Sequence, residues 1–328
     1  MGRAPHRSPR RVVPEEDARG IDRAVAELDA FCTVAVGEVT NSLLAVRALA
    51  RAGIVGCVFH EVFGVERATL ERRVASLQSI VEEHVGAWPS PELVYAPTPH
   101  TLYTTHESIA RTLLSKAAER GTRASLHLAE HAAERRFLEC GDGPIVDWYE
   151  RRLKLRRDAL SWPGTSPIAF ADAIGALAGH VLCVHLTDAR PDELELVASR
   201  GAHVVFCPRS NLHIETRLPP LLAARAAGIW PALGTDSLAS NASLDVLAES
   251  RALADRFPSV SARDLVRMAT WEGARALGRS DIGRIERNAR PGLFAVAGAP
   301  GADPCAFLLS HVRAPRRWVV RRSIGTTL

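Results

Sequence analysis

The 328-residue chain carries 41 Lys and Arg against 37 Asp and Glu, and 47% of it is hydrophobic. That is enough apolar material for a large core, either one α/β barrel or two ordinary domains. Apolar runs are broken by charge or Gly well short of the ~18 to 20 residues of a membrane span, and the start shows no signal-peptide pattern, so a cytoplasmic chain without a membrane partner is expected.

The net charge of +4 does not point to nucleic acid. Lys116 and Lys154 are the sole lysines, and the arginines are scattered among Glu and Asp on predicted helix faces without interleaved aromatics. Six cysteines at 32, 57, 140, 183, 207 and 305 show no C-x-x-C spacing. Several fall in strand-like runs, as buried free thiols do, and neither a disulfide framework nor a zinc ribbon is expected.

In chain order, residues 1–14 are Arg/Pro-rich and aperiodic, and read as a disordered tail. Residues 15–30 form a helix with Ile21, Val25 and Leu28 at helical spacing. Strand-like runs then alternate with helical ones: strands 31–39, 54–63, 93–97 and 124–130, with helices 42–51, 67–85, 108–120 and one from 132. A helix at 146–160, a loop at 163–167 and a helix at 168–178 precede strand 181–186. Helix 191–200, strand 202–207, helix 219–227 and strand 230–234 follow, and helices 243–256 and 262–276 close the region. This alternation predicts βα units around a parallel sheet.

Seven such strands are countable, one short of a closed (β/α)₈ barrel. The polar residues nevertheless sit at strand ends, as barrel active sites require, and no Gly-rich dinucleotide fingerprint or P-loop follows any strand. The expected fold is therefore a TIM-type barrel of about seven strands over residues 15–285. Residues 286–328 supply two further strands, 292–296 and 316–321, as the remnant of a small β-sandwich.

His100 follows the third strand, His127 and Glu130 end the fourth, His185 ends the fifth and Asp236 follows the seventh. A lone strand histidine is more often packed than ligating. His, Glu, His and Asp at successive strand ends form a stronger pattern, because a carboxylate ending an apolar strand is costly to bury without a cation or hydrogen-bond partner. His60 and Glu61 end the second strand and read as packing or supporting residues. His131, His203 and His213 read as surface or core.

Several segments then carry a resemblance: SLHLAEH at 125–131, CVHLTD at 183–188, VVFCPRSNLHIE at 204–215, ALGTDSLASNASLDVLAE at 232–249 and ATWEGARALG at 269–278. From about Cys32 to Val296 the chain resembles the amidohydrolase superfamily, in the cytosine deaminase and chlorohydrolase branch. Pro99-His100-Thr101-Leu102-Tyr103 is similar to a substrate-contacting loop there, and Pro208-Arg209-Ser210-Asn211 to a loop that closes over the ring.

The resemblance implies hydrolytic deamination of an amino-purine or related heterocycle. One divalent metal, Zn or Fe, would be held by His127 and Asp236, with His185 as ligand or polariser. Asp236 would take the proton of the attacking water, and Glu130 would protonate the ring nitrogen. His100, Ser210 and Asn211 would bind substrate, and homodimerisation stays open.

The chain departs from this pattern in one respect. The superfamily's first strand ends in His-x-His, two of the metal ligands, and none of the twelve histidines here is paired in that way. Strand count and ligand count thus fall short at the same place. Alternative expectations are a catalytically impaired relative or truncated copy, and an amide or C-Cl hydrolase, which Glu130 disfavours.

Overall fold

The computed structural model describes residues 14–321 apart from 156–159, 161 and 291. The expected tail, 1–14, lies outside the described residues except for Pro14, which opens the first helix. Helix α1 (Pro14–Ala30) leads to β1 (Ala35–Thr40), α2 (Val46–Arg51), β2 (Val55–Val62), α3 (Arg67–His84), β3 (Leu93–Pro99), α4 (Glu107–Glu119) and β4 (Ala124–Leu128). Helices α5 (Ala132–Cys140), α6 (Pro144–Trp148) and α7 (Pro167–Ala173) precede β5 (Val181–His185), α8 (Pro191–Arg200), β6 (His203–Phe206), α9 (Pro208–Glu215), α10 (Leu221–Ala226) and β7 (Ala232–Leu233). The chain then runs through α11 (Val246–Arg256), α12 (Ala262–Arg267), α13 (Gly273–Ala276), β8 (Leu293–Val296), α14 (Pro304–Ser310) and β9 (Arg316–Val320).

Strands β1-β2-β3 and β4-β5-β6-β7 are each parallel and in chain order. The two groups are stitched together where the chain would otherwise leave backbone groups unpaired. Thr98 Oγ1 accepts from Ser125 N at 2.8 Å and donates to the Ser125 carbonyl, and His127 N donates to the His100 carbonyl at 3.0 Å. The result is one curved series of seven strands, α/β in class, whose ends β1 and β7 are not hydrogen-bonded to each other.

Strand β2 is buried along its whole length. That explains its near-continuous apolar run, as expected of a parallel strand covered on both faces. Gly56 is required beside it: at φ +131 its Cβ would lie 2.0 Å from the Val36 carbonyl oxygen of β1. Inside the curve, Cys57, Phe59, Ala96, Leu182 and Ala232 pack together with Ala276 and Leu277. The segment at the end of α13 therefore fills the floor of the barrel, and outer helices cover the other strand faces.

Several elements differ from expectation. The helix foreseen at 146–160 stops at Trp148, a π-helical turn spans Tyr149–Leu153, and Lys154 at φ +57 ends it. Pro208–Asn211 is not a loop but the first turn of α9, with Pro208 at the helix start, where a missing N–H costs nothing. Helix α14 lies between the two late strands and was not foreseen. Those strands, β8 and β9, pair antiparallel.

The β8–β9 ribbon is anchored by Arg316, which donates to both carboxylate oxygens of buried Asp245 at 2.8 and 2.6 Å, and by Trp318 Nε1 to Asp29. Cys32, Cys57, Cys183 and Cys207 are buried thiols, and all six cysteines are free. No helix among the described residues is long and apolar enough to cross a membrane.

Candidate active site

Because the seven strands are parallel, their C-terminal ends open on one rim, and the sequence-selected residues gather there. The backbone at this rim is held in unusual conformations. Ala129 (φ +49), His185 (+78), Leu186 (+50) and Asp236 (+56) all occupy the left-handed region despite having side chains. Each such residue costs on the order of 1–3 kcal/mol, a cost that surrounding contacts must offset. Here the contacts are backbone hydrogen bonds between neighbouring strand ends: Leu186 N to the Leu128 carbonyl and Asp188 N to the Ala129 carbonyl, at 3.0 and 2.8 Å.

On the β5–β7 side the polar groups are closely wired. Asp236 Oδ2 accepts from Ser210 Oγ at 2.6 Å and Ser240 Oγ at 2.8 Å, while Oδ1 accepts from Ser237 N at 2.7 Å. Burial alone would raise the Asp236 pKa, but the two serine hydroxyls, nearby His185 and the Ser237 amide together hold it below the usual value. His185 is buried, with Nδ1 3.0 Å from Asn211 Nδ2 and Nε2 3.6 Å from Glu130 Oε1. Burial pushes its pKa down to about 4, so the ring is neutral. Burial likewise raises Glu130 above the ordinary carboxyl range. Two carboxyls at one rim are thus driven in opposite directions, Asp236 towards the ionised form and Glu130 towards the protonated one.

Glu130 owes its position to a residue that sequence reasoning passed over. Glu134, fully buried, accepts from the Ala129 and Glu130 amides at 3.1 and 2.9 Å. It is the third residue of α5, whose N-cap His131 accepts from Glu134 N at 2.9 Å. The arrangement resembles a capping box, with a carboxylate three residues past the cap reaching back to the preceding loop. That spacing was the available signal, obscured because the cap is His rather than Ser or Thr. Arg135 fixes the same corner from below, with Nε on Asp188 at 2.6 Å and both terminal nitrogens on Glu193 at 2.8 Å.

The β2–β4 side is looser. His127 stacks on His185 with ring centroids 5.4 Å apart, and meets His100 edge-on at 5.1 Å. His127 Nδ1 lies 3.3 Å from the His100 carbonyl, a long contact, and 3.4 Å from Glu61 Oε1. His100 is oriented by Thr104 Oγ1, 2.7 Å from its Nδ1, which leaves Nε2 facing Glu61 Oε1 at 3.9 Å. Burial depresses both imidazoles, His100 to about 4. Glu61 is only 8% exposed, and its Oε1 makes no hydrogen bond. Burial, with Asp236 adding to it, lifts its carboxyl to about 7. Glu61, expected in a packing or supporting role, faces His100 and His127 at this rim.

The structure thus brings His100, His127, Glu130, His185, Ser210, Asn211 and Asp236 to one rim. Ser210 and Asn211 arrive on the first turn of α9, where Ser210 contacts Asp236 and Asn211 contacts His185. Among the described residues, the three-residue set of metal-capable donors lying within 4.8 Å of one another is Glu61, His100 and His127. His127, His185 and Asp236 do not converge to that degree, and the Asp236 oxygens are already occupied by hydroxyl and amide donors.

The Amidohydrolase family profile matches residues 30–317. The chain belongs to this family. It is 31% identical over 284 residues to aminodeoxyfutalosine deaminase of Deinococcus radiodurans, covering 82% of this chain and 66% of that one. Matches to two further curated relatives span 46% of their length, so the chain covers from under half to about two thirds of the relatives it matches. The crystal structure of Helicobacter pylori aminofutalosine deaminase superposes with a TM-score of 0.80 at 23% identity, over 94% of this chain and 77% of that one. An adenosine deaminase from Xanthomonas campestris, crystallised with bound zinc, gives 0.72 at 25% identity, over 97% and 73%. The fold of these solved structures is the fold of this chain.

Proposed function

We propose that the chain is a hydrolytic deaminase of the amidohydrolase family acting on an amino-purine nucleoside. The observation that carries this reading is the gathering of Glu130, His185 and Asp236 at one rim, with His185 Nε2 3.6 Å from Glu130 Oε1 and Asp236 held by the Ser210 and Ser240 hydroxyls. Deamination needs a group that protonates the ring nitrogen and the departing ammonia, and another that accepts the proton of the attacking water. In this reading Glu130, whose pKa burial raises, gives the proton, and Asp236, whose pKa its hydrogen-bond donors lower, accepts one. His185, kept neutral and oriented by Asn211, polarises the reacting centre. His100, Ser210 and Asn211 bind the heterocycle in this reading. Names of the relatives support the purine class: aminodeoxyfutalosine deaminase and the 5-methylthioadenosine/S-adenosylhomocysteine deaminases.

One divalent metal, Zn or Fe, belongs to the proposal, and when bound it would lower the pKa of a water towards ~7. His127 is the ligand common to the set read from sequence, His127 with Asp236 and His185, and to the set whose donors converge. Ammonia release from adenosine, 5-methylthioadenosine and aminodeoxyfutalosine, with zinc added to the purified protein, tests the reading. Turnover of one of them, abolished by Glu130→Gln, is the expected result. No ammonia from any of the three, with zinc bound at one equivalent, would favour a non-catalytic binding role.

A further inference from the structure

The polar groups of the β5–β7 side reach the rim partly on the first turn of α9 and partly on the loop 234–245 between β7 and α11. A buried carboxyl away from the reacting groups joins these two segments. Glu249, near the start of α11, is 0% exposed. Its Oε2 accepts from Arg209 N at 2.8 Å, one residue before Ser210. Its Oε1 accepts from Asn241 Nδ2 at 2.7 Å, and the same nitrogen donates its other proton to the Thr235 carbonyl at 2.7 Å, in the peptide that leads into Asp236. Both segments need such a hold. Cys207, the N-cap of α9, makes no side-chain capping bond, so Glu249 satisfies an amide of that helix start from another element. Asp236 sits at φ +56, a conformation that a residue with a side chain adopts only under constraint.

We propose, on the deaminase reading above, that Glu249 is a positioning residue of this rim: it fixes the first turn of α9 against the Asp236 loop and so sets the reach of Ser210 and Asn211. The topology makes that turn decisive. Helix α9 follows β6, the strand between β5 and β7, so its first turn addresses both neighbours at once. Ser210 Oγ lies 2.6 Å from Asp236 Oδ2 on the β7 side, and Asn211 Nδ2 lies 3.0 Å from His185 Nδ1 on the β5 side. Hydrogen bonds weaken steeply with distance and angle, so a slide or rotation of α9 loosens both contacts together. A misplacement of about 1 Å at such groups costs up to about 10²-fold in rate. The base from which Glu249 acts is itself held. Asp245, the N-cap of α11, accepts from Leu247 N at 3.0 Å and from both terminal nitrogens of Arg316 at 2.8 and 2.6 Å, which ties α11 to the β8–β9 ribbon.

The test is Glu249→Gln in the 328-residue protein, which keeps the shape but turns one acceptor into a donor, so that it opposes either Arg209 N or Asn241 Nδ2. Hydrogen exchange read by mass spectrometry is expected to quicken about fivefold or more in peptides covering 207–213 and 234–242, and to stay within about twofold in those covering β2 to β4. Ammonia release is expected to fall about 10–100-fold in kcat/KM. Combined with Asn211→Ala, the two losses are less than additive, because Glu249 acts through the turn that carries Asn211. Where circular dichroism shows that Glu249→Gln does not fold, Asn241→Ala, which cuts the link to Thr235 alone, is expected to quicken exchange in 234–242 and to lower turnover. Unchanged exchange in either segment of Glu249→Gln overturns the proposal, as does additivity with Asn211→Ala or turnover within about threefold of the parent. A parent that releases no ammonia removes the deaminase reading instead, and exchange alone then decides the link.

Discussion

The two sides of the rim solve the same problem of buried polarity in opposite ways. On the β5–β7 side, Asp236, His185, Glu134 and Arg135 meet hydrogen-bond partners at 2.6 to 3.1 Å. On the β2–β4 side, Glu61, His100 and His127 face one another at 3.3 to 3.9 Å, and one carboxylate oxygen is orphaned. The first is pre-organised for proton chemistry by the protein alone. The second leaves a buried carboxyl oxygen of Glu61 without a hydrogen-bond partner. Asn211 Oδ1 and Thr187 Oγ1 are also without partners on the wired side, so the contrast is one of degree.

The largest expected effect separates the two sides by chemistry. Glu130→Gln removes the proton donor and is expected to lower ammonia release by about 10²–10⁴-fold; a loss below about tenfold would place the donor elsewhere on the rim. Next comes Arg135→Ala, which strips Asp188 and Glu193 of a shared buried partner and should cost about 3–5 kcal/mol in denaturant unfolding. A loss below ~1 kcal/mol would show that the corner is not held by this network.

Smaller is the effect of Ser210→Ala, which takes one of two hydroxyls from Asp236. Its carboxyl pKa should rise, moving the acid limb of the kcat/KM profile to higher pH. An unmoved limb would assign that ionisation elsewhere. The smallest effect is on metal-free stability. Glu61 is held up at about 7 against an ordinary 4.5, so between those values the folded state keeps a proton that the unfolded state releases. Its contribution is full below pH 4.5 and is lost as pH rises through 7. Glu61→Gln without metal should therefore gain Tm relative to the parent across this window, by about 2–4 °C. A constant difference between pH 4.5 and 8 would contradict the burial of an unpaired carboxyl.

Much of this fold was legible because it rests on local patterns. Apolar runs of strand length alternating with helical periodicity located all seven parallel strands, and an unfavourable charge at a strand's end flagged His127, His185 and Asp236. Local reasoning failed where a neighbour in space overrode it. Pro208–Asn211 resembles a family loop, yet Pro208 also suits a helix start, and Glu249 fixes that start by accepting from Arg209 N at 2.8 Å. The helix expected at 146–160 stops at Trp148, and the π-helical turn that follows ends at Lys154, whose left-handed conformation no periodicity announces.

The sequence by itself determined the strand series and the family, and it singled out His100, His127, Glu130, His185 and Asp236 at strand ends, since each depends on residue type and spacing along one element. Only the tertiary structure decided which of those groups meet. Glu61, His100 and His127 come from three different strand ends, 27 to 66 residues apart, and their convergence depends on the parallel register of β2 with β3 and on the stitch from Thr98 to Ser125. Curvature of the sheet sets that geometry, and curvature is a property of packed strands rather than of any one of them.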